Sequence, residues 1–195
     1  METLVGRAKG ILFEPRTTWK EIDAEFTKPG EVWGRYIIPL AGLGAIARTI
    51  GMILFGKQVA FTSLTNQVPL TSAIVSGIVV LVVALLSVFV LSKIISLLAP
   101  GFGGQKNDVQ GLKAAAYSST AAWIGSIFAI LPALNLVSIL VSLYSVVLLY
   151  LGLPILMKAP AERAAAYTAL VVVAAIVLFM VVGMVAAAVA GAAFW

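Results

Sequence analysis

One arginine lies deep inside a stretch of sequence that is otherwise apolar enough to cross a membrane. Arg48 follows Arg35, at the start of that stretch, by about 13 residues, which places it roughly 20 Å along a helix. A guanidinium inside a bilayer costs about 2.5–3.5 kcal/mol on insertion scales, so it must face the protein interior or extend to the headgroups. Two readings stay open: an internal contact with an anion or lipid headgroup, and extension to the outer headgroups.

Four hydroxyl-bearing side chains in two other apolar stretches could join Arg48 in an intramembrane polar site. Tyr117 and Ser118 lie near the start of the third stretch, and Tyr144 and Tyr150 lie in the fourth. These five residues are the candidate polar site. Hydroxyls in membrane helices also link neighbouring helices by hydrogen bonds, so a polar track and helix-to-helix links are both open readings.

The residue inventory limits the chemistry that the chain can perform. Cysteine and histidine are absent, which excludes disulfides, thiolate or imidazole metal ligands and the Cys/His or Ser/His nucleophile arrangements. The acidic residues all lie outside the apolar stretches, so those stretches offer no carboxylate as a general base or for ion coupling. We therefore predict no catalytic, cofactor-binding or metal-binding residue, and a protein that is not an enzyme.

Two prolines and two sets of small residues predict how the helices pack. Pro39 lies near the start of the first apolar stretch and Pro154 near the end of the fourth, which puts both on the same side of the predicted bundle. Each proline removes one helix hydrogen bond and favours a kink. Such kinks serve packing or open a gap between the two helices, and both readings are kept. Small residues at every fourth position let helices approach closely, either inside the chain or between two copies. The two sets are Ala121, Gly125 and Ala129 in the third stretch and Gly183, Ala187 and Gly191 in the fifth.

The apolar content of the chain indicates that lipid is its solvent. Hydrophobic residues make up 62% of the chain and charged residues 11%, against about 45–50% and about 25% in soluble domains. A membrane-spanning helix needs about 20 apolar residues, and five stretches meet that length. The predicted fold is all-α, a polytopic membrane protein in which residues 32–195 form a five-transmembrane-helix bundle. The predicted spans are about residues 33–55, 72–98, 113–131, 136–157 and 167–193.

The basic residues predict the orientation of the chain. Of the 13 lysines and arginines, all except Arg48 and Lys57 lie in the N-terminal segment or at the same side of the bundle. Because cytoplasmic loops carry the excess of basic residues, we expect a cytoplasmic N-terminus and an outside C-terminus in the cell (inner, cytoplasmic) membrane. The N-terminal residues lack the continuous apolar core of a signal peptide, so we expect the first span to direct insertion. The basic residues follow the membrane flanks and not one face, so nucleic-acid binding is not predicted.

Residues 1–31 are predicted to be a separate, cytoplasmic amphipathic segment. Leu4, Ala8 and Ile11 recur at helical spacing before Pro15, and the spacing resumes after it. We expect two short helices, one on each side of the proline. Their apolar faces would lie in the cytoplasmic membrane interface, or the two helices would form a soluble hairpin packed on the protein's own loops, and both readings are kept.

Three sequence motifs resemble prokaryotic members of the Yip family, the Ypt/Rab-GTPase-interacting proteins. They are Phe-Glu-Pro-Arg-Thr-Thr-Trp at residues 13–19, Ala-Ala-Tyr-Ser-Ser-Thr at residues 115–120 and Tyr-Leu-Gly-Leu-Pro-Ile-Leu-Met-Lys at residues 150–158. The third motif is the most specific, and the resemblance extends over almost the whole chain. It implies five spans behind a cytoplasmic amphipathic N-terminus. It also implies kinship with eukaryotic proteins that act in vesicle trafficking with Rab-type GTPases, membrane-curving proteins and one another.

Two functions follow from these observations. The first is a non-enzymatic membrane scaffold or interaction protein that organises the membrane or recruits partners through its N-terminal helices. The second is a transporter or channel for a small solute, an ion or a lipid, supported by Arg48, the paired prolines and the hydroxyl groups. An intramembrane enzyme is the least favoured reading, since no general base is apparent. The expected partners are the lipid bilayer and either a second copy of the chain or another membrane protein.

Overall fold

The computed structural model describes residues 3–58 and 65–192 of the chain. The all-α prediction is confirmed, apart from a two-residue antiparallel strand pair in one connection. The helices are α1 (Leu4–Phe13), α2 (Pro15–Ala24), α3 (Pro29–Val32), α4 (Ile38–Phe55), α5 (Leu70–Leu98), α6 (Asp108–Ser118), α7 (Thr120–Phe128), α8 (Asn135–Leu156) and α9 (Ala164–Ala192). The strands are β1 (Lys57–Gln58) and β2 (Thr65–Asn66), and short 3₁₀ turns occupy Ala99–Phe102, Pro132–Leu134 and Ala161–Arg163.

Within the described residues, four helical segments are long and apolar enough to cross a membrane. They correspond to the first, second, fourth and fifth predicted spans. Their outward faces carry large exposed apolar side chains such as Ile46, Leu86, Leu140 and Met180. An apolar outer surface of this kind indicates contact with lipid. The four segments are Pro29–Phe55, Leu70–Phe102, Pro132–Leu156 and Ala161–Met184.

The third predicted span is not one continuous helix, which corrects the prediction for residues 113–131. Helix α6 ends at Ser118 and α7 begins at Thr120. The hydroxyls of Ser118, Ser119 and Thr120 each donate to a backbone carbonyl of the preceding turn, at 2.6, 2.7 and 2.7 Å. Such bonds compete with the backbone N–H groups and bend helices. Each of the two pieces is shorter than a membrane span, so neither counts among the four segments that are long enough by themselves.

Pro39 and Pro154, the two prolines expected to favour kinks, both lie within helical segments that continue past them. A π-helical turn, Trp33–Ile37, joins α3 to α4 directly before Pro39, and in it the Ile38 N–H donates to the Trp33 carbonyl. A π turn distorts a helix without ending it. Although Pro39 has no N–H to donate, α3, the π turn and α4 therefore form one continuous helical segment. Pro154 lies in the last turn of α8, so only two residues of the helix follow it and any kink affects only the helix end.

Helix α6 is the buried centre of one end of the bundle. Ala114, Ala115 and Ala116 have no exposed surface, and α6 contacts α3, α5 and α8. At Gly111 a Cβ would come within 2.6 Å of the Ser92 carbonyl oxygen of α5. Small side chains on α6 therefore let its neighbours pack at backbone distance.

The two sets of small residues have different surroundings. Ala121 is buried, and a Cβ on Gly125 would come within 2.7 Å of the Ser142 Oγ, so the first set packs α7 against α8. At Gly183 of the second set, no described atom outside the backbone of its own helix turn lies within 4 Å of the position of a Cβ. The side chains of Ala187 and Gly191 lie outside the described residues.

Helix α4 lies along α7 at the same close range. A Cβ on Gly44 would come within 2.6 Å of the Ser126 Oγ. Farther along, a Cβ on Gly51 would come within 2.9 Å of the Ile130 Cα and 3.3 Å of the Ala129 carbonyl oxygen. Helices α6 and α7 together therefore extend from the buried end of the bundle to the far end of α4.

Candidate functional site

Helices α1 and α2 form an antiparallel hairpin. The Arg7 guanidinium pairs with the carboxylates of Glu21, at 3.6 Å, and Glu25. Nearer the connection, a Cβ on Gly10 would come within 2.9 Å of the Thr18 Oγ1. The two helices therefore run side by side in opposite directions, and their connection forms the tip of the hairpin.

The apolar face of the hairpin is buried against the bundle. Ile11, Trp19 and Ile22 have no exposed surface. The Trp19 ring lies on α8 at Gly152, where a Cβ would come within 2.6 Å of the ring atoms Cε2 and Cζ2. Of the two readings of residues 1–31, this packing favours a hairpin docked on the protein itself.

Trp19 belongs to an aromatic cluster, which we define as Trp19, Tyr36 and Tyr117. The Tyr117 ring meets Trp19 edge-on with 6.3 Å between centroids, and its centroid lies 4.4 Å from that of Tyr36. The Tyr36 hydroxyl lies 2.7 Å from the Thr120 Oγ1, and this pair is buried. With Gly152 against Trp19, the cluster brings together the three sequence motifs at residues 13–19, 115–120 and 150–158.

A buried lysine holds the carboxyl end of α2. The Lys113 side chain of α6 donates from Nζ to the carbonyl oxygens of Ile22, at 2.8 Å, and Glu25, at 2.6 Å. The last carbonyls of a helix lack partners within the helix and carry the negative end of its dipole, so a cation is favourable there. Lys113 thus links the hairpin to the centre of the bundle.

A carboxylate makes the second link at the same end of α2. Asp23 accepts from the Lys158 Nζ at 2.5 Å and from the Gln110 Nε2 at 3.1 Å. Lys158 lies two residues beyond the end of α8 and has a left-handed backbone, with φ of +54°. That conformation is unfavourable for residues other than glycine, so the ion pair coincides with a constrained turn.

A cleft of about 360 Å³ opens between the hairpin, α3 and α6. We call it the charged cleft, because two basic and two acidic side chains line it beside the aromatic cluster. Such a cleft suits a ligand or peptide segment that carries both charges and an apolar part. Its charged residues are Arg7, Glu25, Glu31 and Arg35. The described part of the chain holds no group of three or more acidic, histidine or cysteine side chains placed to bind a metal ion.

The five residues of the predicted polar site do not come together. Arg48 lies on the exposed face of α4, and Tyr150 is 43% exposed on α8. Tyr117 and Ser118 are buried in α6, while the Tyr144 hydroxyl donates to the Leu12 carbonyl oxygen of the hairpin at 3.1 Å. The position of Arg48 favours its extension toward headgroups over an internal anion contact.

Hydroxyl groups within the bundle bond mainly to their own helices. Ser118, Ser126 and Ser142 each donate to a carbonyl three or four residues earlier, at 2.6, 2.5 and 2.7 Å. Thr49 and Thr168 do the same at 2.8 Å. A hydroxyl in this arrangement has already given its proton to a carbonyl, so it cannot donate to a passing anion, and only its lone pairs remain.

Sequence reasoning missed Arg7 and Lys113 as structural anchors. Lys113 counted only as a basic residue beside a span. The sequence feature that could have identified it as an anchor is its place as a single lysine between Leu112 and Ala114, in an otherwise small and apolar run. Such a lysine needs a partner when the run is buried, but the carbonyls that serve it are far away in sequence and carry no sequence signal.

Comparison with known proteins gives one match. The family model described as Yip1 domain matches residues 9–184. That range begins inside α1 and ends inside α9, so it includes the docked hairpin as well as the apolar helices. No curated protein and no solved structure matches the chain.

Proposed function

Because the chain belongs to the Yip1 domain family, we propose that this membrane protein is a non-enzymatic scaffold that recruits a partner at the charged cleft. The observation that carries the proposal is the docked hairpin. Trp19 on Gly152 and Lys113 on the α2 carbonyls fix one wall of the cleft relative to the bundle. A wall that is already ordered pays little conformational entropy when a partner binds.

The packing of the bundle supports a scaffold over a permeation path. Hydroxyls of α4, α7, α8 and α9 donate to their own helices. Between α4 and α7, Gly44 and Gly51 bring the helices to backbone distance. Both features favour a closed interior.

The topology proposed for this scaffold has five spans, with α6 and α7 together as the third. Residues 113–131 include most of α6 and all of α7, and about 19 residues at about 1.5 Å each reach roughly 28 Å, close to the thickness of a hydrocarbon core. Two contacts with the first span support this assignment: Thr120 lies against Tyr36, and Ile130 lies against Gly51. Residues 1–31 would then be a cytoplasmic segment and residues 32–195 the membrane domain. The distribution of basic residues supports a cytoplasmic N-terminus, an outside C-terminus and the cell membrane.

A transporter is the second candidate function, and one observation favours it. The π-helical turn Trp33–Ile37 lies where the charged cleft meets the first span, and π turns are frequent at functional sites. A substrate with both charges would enter there and would need a gap between helices to continue.

Photocross-linking from inside the cleft tests the scaffold. A photoreactive residue at Thr27, which lines the cleft, should give a discrete product with a partner in the cells that produce the protein. The same residue at the exposed Lys106, outside the cleft, is the matched control. Arg35→Glu should remove the Thr27 product, because it reverses one charge of the cleft.

A flux assay on the purified protein separates the two functions. Liposomes with and without protein would be screened with inorganic ions, small anions and phospholipids. Absence of protein-dependent flux together with a Thr27-specific product supports the scaffold. Saturable flux without such a product favours the transporter, and Arg48→Ala would then show whether Arg48 contributes to it.

A further inference from the structure

Three contacts give the register of the hairpin along α8. Asp23 pairs with Lys158 just beyond the end of α8, and Trp19 lies on Gly152. The Leu12 carbonyl, at the end of α1, accepts from the Tyr144 hydroxyl. From Asp23 through Trp19 to Leu12, the hairpin thus meets progressively earlier residues of α8, so its tip points along α8 away from Leu156.

The tip of the hairpin lies beside the middle of α8, far from its C-terminal end. Tyr144 lies about 12 residues before Leu156, a rise of roughly 18 Å. Side chains of a helix lean toward its N-terminus, so the Tyr144 hydroxyl is not displaced back toward Leu156. Around this height α8 exposes Leu143, Val146 and Val147, as expected where a membrane span faces lipid.

Part of the backbone at the tip is hydrogen-bonded within the protein. The Glu14 N–H donates to the Gly10 carbonyl at 2.8 Å, and Pro15 has no N–H to satisfy. The Glu14 carbonyl accepts from both the N–H and the hydroxyl of Thr18, at 3.0 and 2.9 Å. In hydrocarbon each unpaired backbone group costs several kcal/mol. These bonds reduce the number of such groups at a turn where α2 begins without a side-chain cap.

The side chain presented at the tip is apolar. Phe13 is 80% exposed, although a phenylalanine at a water-facing turn would gain nothing from exposure. The charges of Glu14 and Arg16 follow directly and oppose each other. Arg16 lies on α2 one turn before Trp19, and its long side chain can extend toward the headgroups.

We propose that the hairpin of the cytoplasmic segment enters the bilayer at its tip, with Phe13 inserted among the acyl chains of one leaflet. In the proposed orientation that leaflet is the cytoplasmic one. The residues 1–31 therefore contact lipid with the tip of the hairpin, while its apolar face packs on α6 and α8. This differs from an amphipathic helix that lies flat in the interface.

Depth-dependent fluorescence quenching tests the insertion. The chain has no cysteine, so Phe13→Cys, Lys20→Cys and Leu143→Cys each carry one fluorescent label. Lys20 is exposed on α2, beyond Trp19 on the side away from the tip, and Leu143 is exposed one residue from Tyr144. The labelled proteins would be placed in phosphatidylcholine vesicles that contain nitroxide lipids labelled in the acyl chain or on the headgroup. Thermal unfolding of each variant before labelling checks that it folds.

The expected result is a common pattern for the labels at positions 13 and 143. Acyl-chain nitroxides should quench both about twofold or more over headgroup nitroxides, as for groups buried below the interface. The label at position 20 should show the reverse preference. A label at position 13 that follows the pattern of position 20, or responds only to aqueous iodide, would overturn the proposal.

Discussion

The Trp19 ring rests on α8 at Gly152, and ring atoms Cε2 and Cζ2 lie 2.6 Å from the point that a Cβ would occupy. A side chain at position 152 would displace the ring from a site in which it has no exposed surface. One contact therefore explains why two distant motifs contain a tryptophan and a glycine. It also ties the hairpin to the membrane domain.

Gly152→Ala should destabilise the protein. The added methyl group overlaps an aromatic ring that is packed on every side, and overpacking of this kind costs about 1–3 kcal/mol. Thermal unfolding in detergent would measure the loss. Gly42→Ala on α4 is the matched control, since no atom lies within 4 Å of its Cβ position, and it should leave the melting temperature unchanged or raised.

A second substitution tests whether the loss arises at the ring. The Trp19 indole N–H is buried and has no hydrogen-bond partner among the described residues, so Trp19→Phe sacrifices no hydrogen bond. In the Gly152→Ala background the smaller ring should recover part of the lost stability. Equal losses from Trp19→Phe with and without the alanine would disprove the contact.

Lys113→Met should loosen the hairpin while the spans remain folded. The substitution keeps the length of the side chain but leaves the Ile22 and Glu25 carbonyl oxygens without their donor, at a cost of about 1–3 kcal/mol. Hydrogen exchange of residues 15–24 should accelerate, and exchange in α8 should not. Lys106→Met, at an exposed position, is the control, and similar exchange in both variants would contradict the anchoring role.

Apolar length predicted the long helices, because lipid demands about 20 apolar residues wherever a helix crosses. The same rule failed at residues 113–131. There the hydroxyls of Ser118, Ser119 and Thr120 compete with backbone N–H groups for the carbonyls of the preceding turn, and the helix is interrupted. Mean hydropathy over the stretch does not register this local competition. Hydropathy thus located the segment but not its break.

The candidate site was less predictable than the fold. The periodicity of Ile11 and Trp19 identified an apolar face, but the surface that buries it is formed by α6 and α8, which periodicity does not specify. Arg48 attracted attention because it interrupts an apolar run, yet it lies on the exposed face of α4. The three motifs that meet at Trp19, Tyr117 and Gly152 were better guides than charge alone.

The link between α5 and α6 should weaken in acid. Hydrogen bonds from Lys93 and Ser96 hold the pKa of Asp108 below its usual range. A carboxyl with a lowered pKa stabilises the fold above its unfolded value, about 3.9, and that stability is lost as the pH falls through the folded pKa. Asp108→Asn should therefore lower the melting temperature at neutral pH, and the difference from the wild type should shrink in acid. Glu162→Gln, at another exposed carboxylate, should show no such pH-dependent difference.

The two sets of small residues should respond differently to an added methyl group. At Gly125 a Cβ would come within 2.9 Å of the Ser138 carbonyl oxygen and 3.2 Å of the Ser142 backbone nitrogen. Backbone atoms of a packed helix cannot move aside as a flexible side chain does, so Gly125→Ala should cost about 1–3 kcal/mol. At Gly183 the Cβ position is open, so Gly183→Ala should leave the stability of the monomer unchanged.

Thermal unfolding and light-scattering mass, measured on both variants in the same detergent, check this contrast. A stable Gly125→Ala variant would show that α7 and α8 are not packed at backbone distance. If Gly183→Ala changes the mass of the particle but not the melting temperature of its monomer, the set on α9 packs between copies of the chain. No change in either quantity would leave α9 facing lipid at this position, because a seam between helices at small residues is sensitive to a single methyl group.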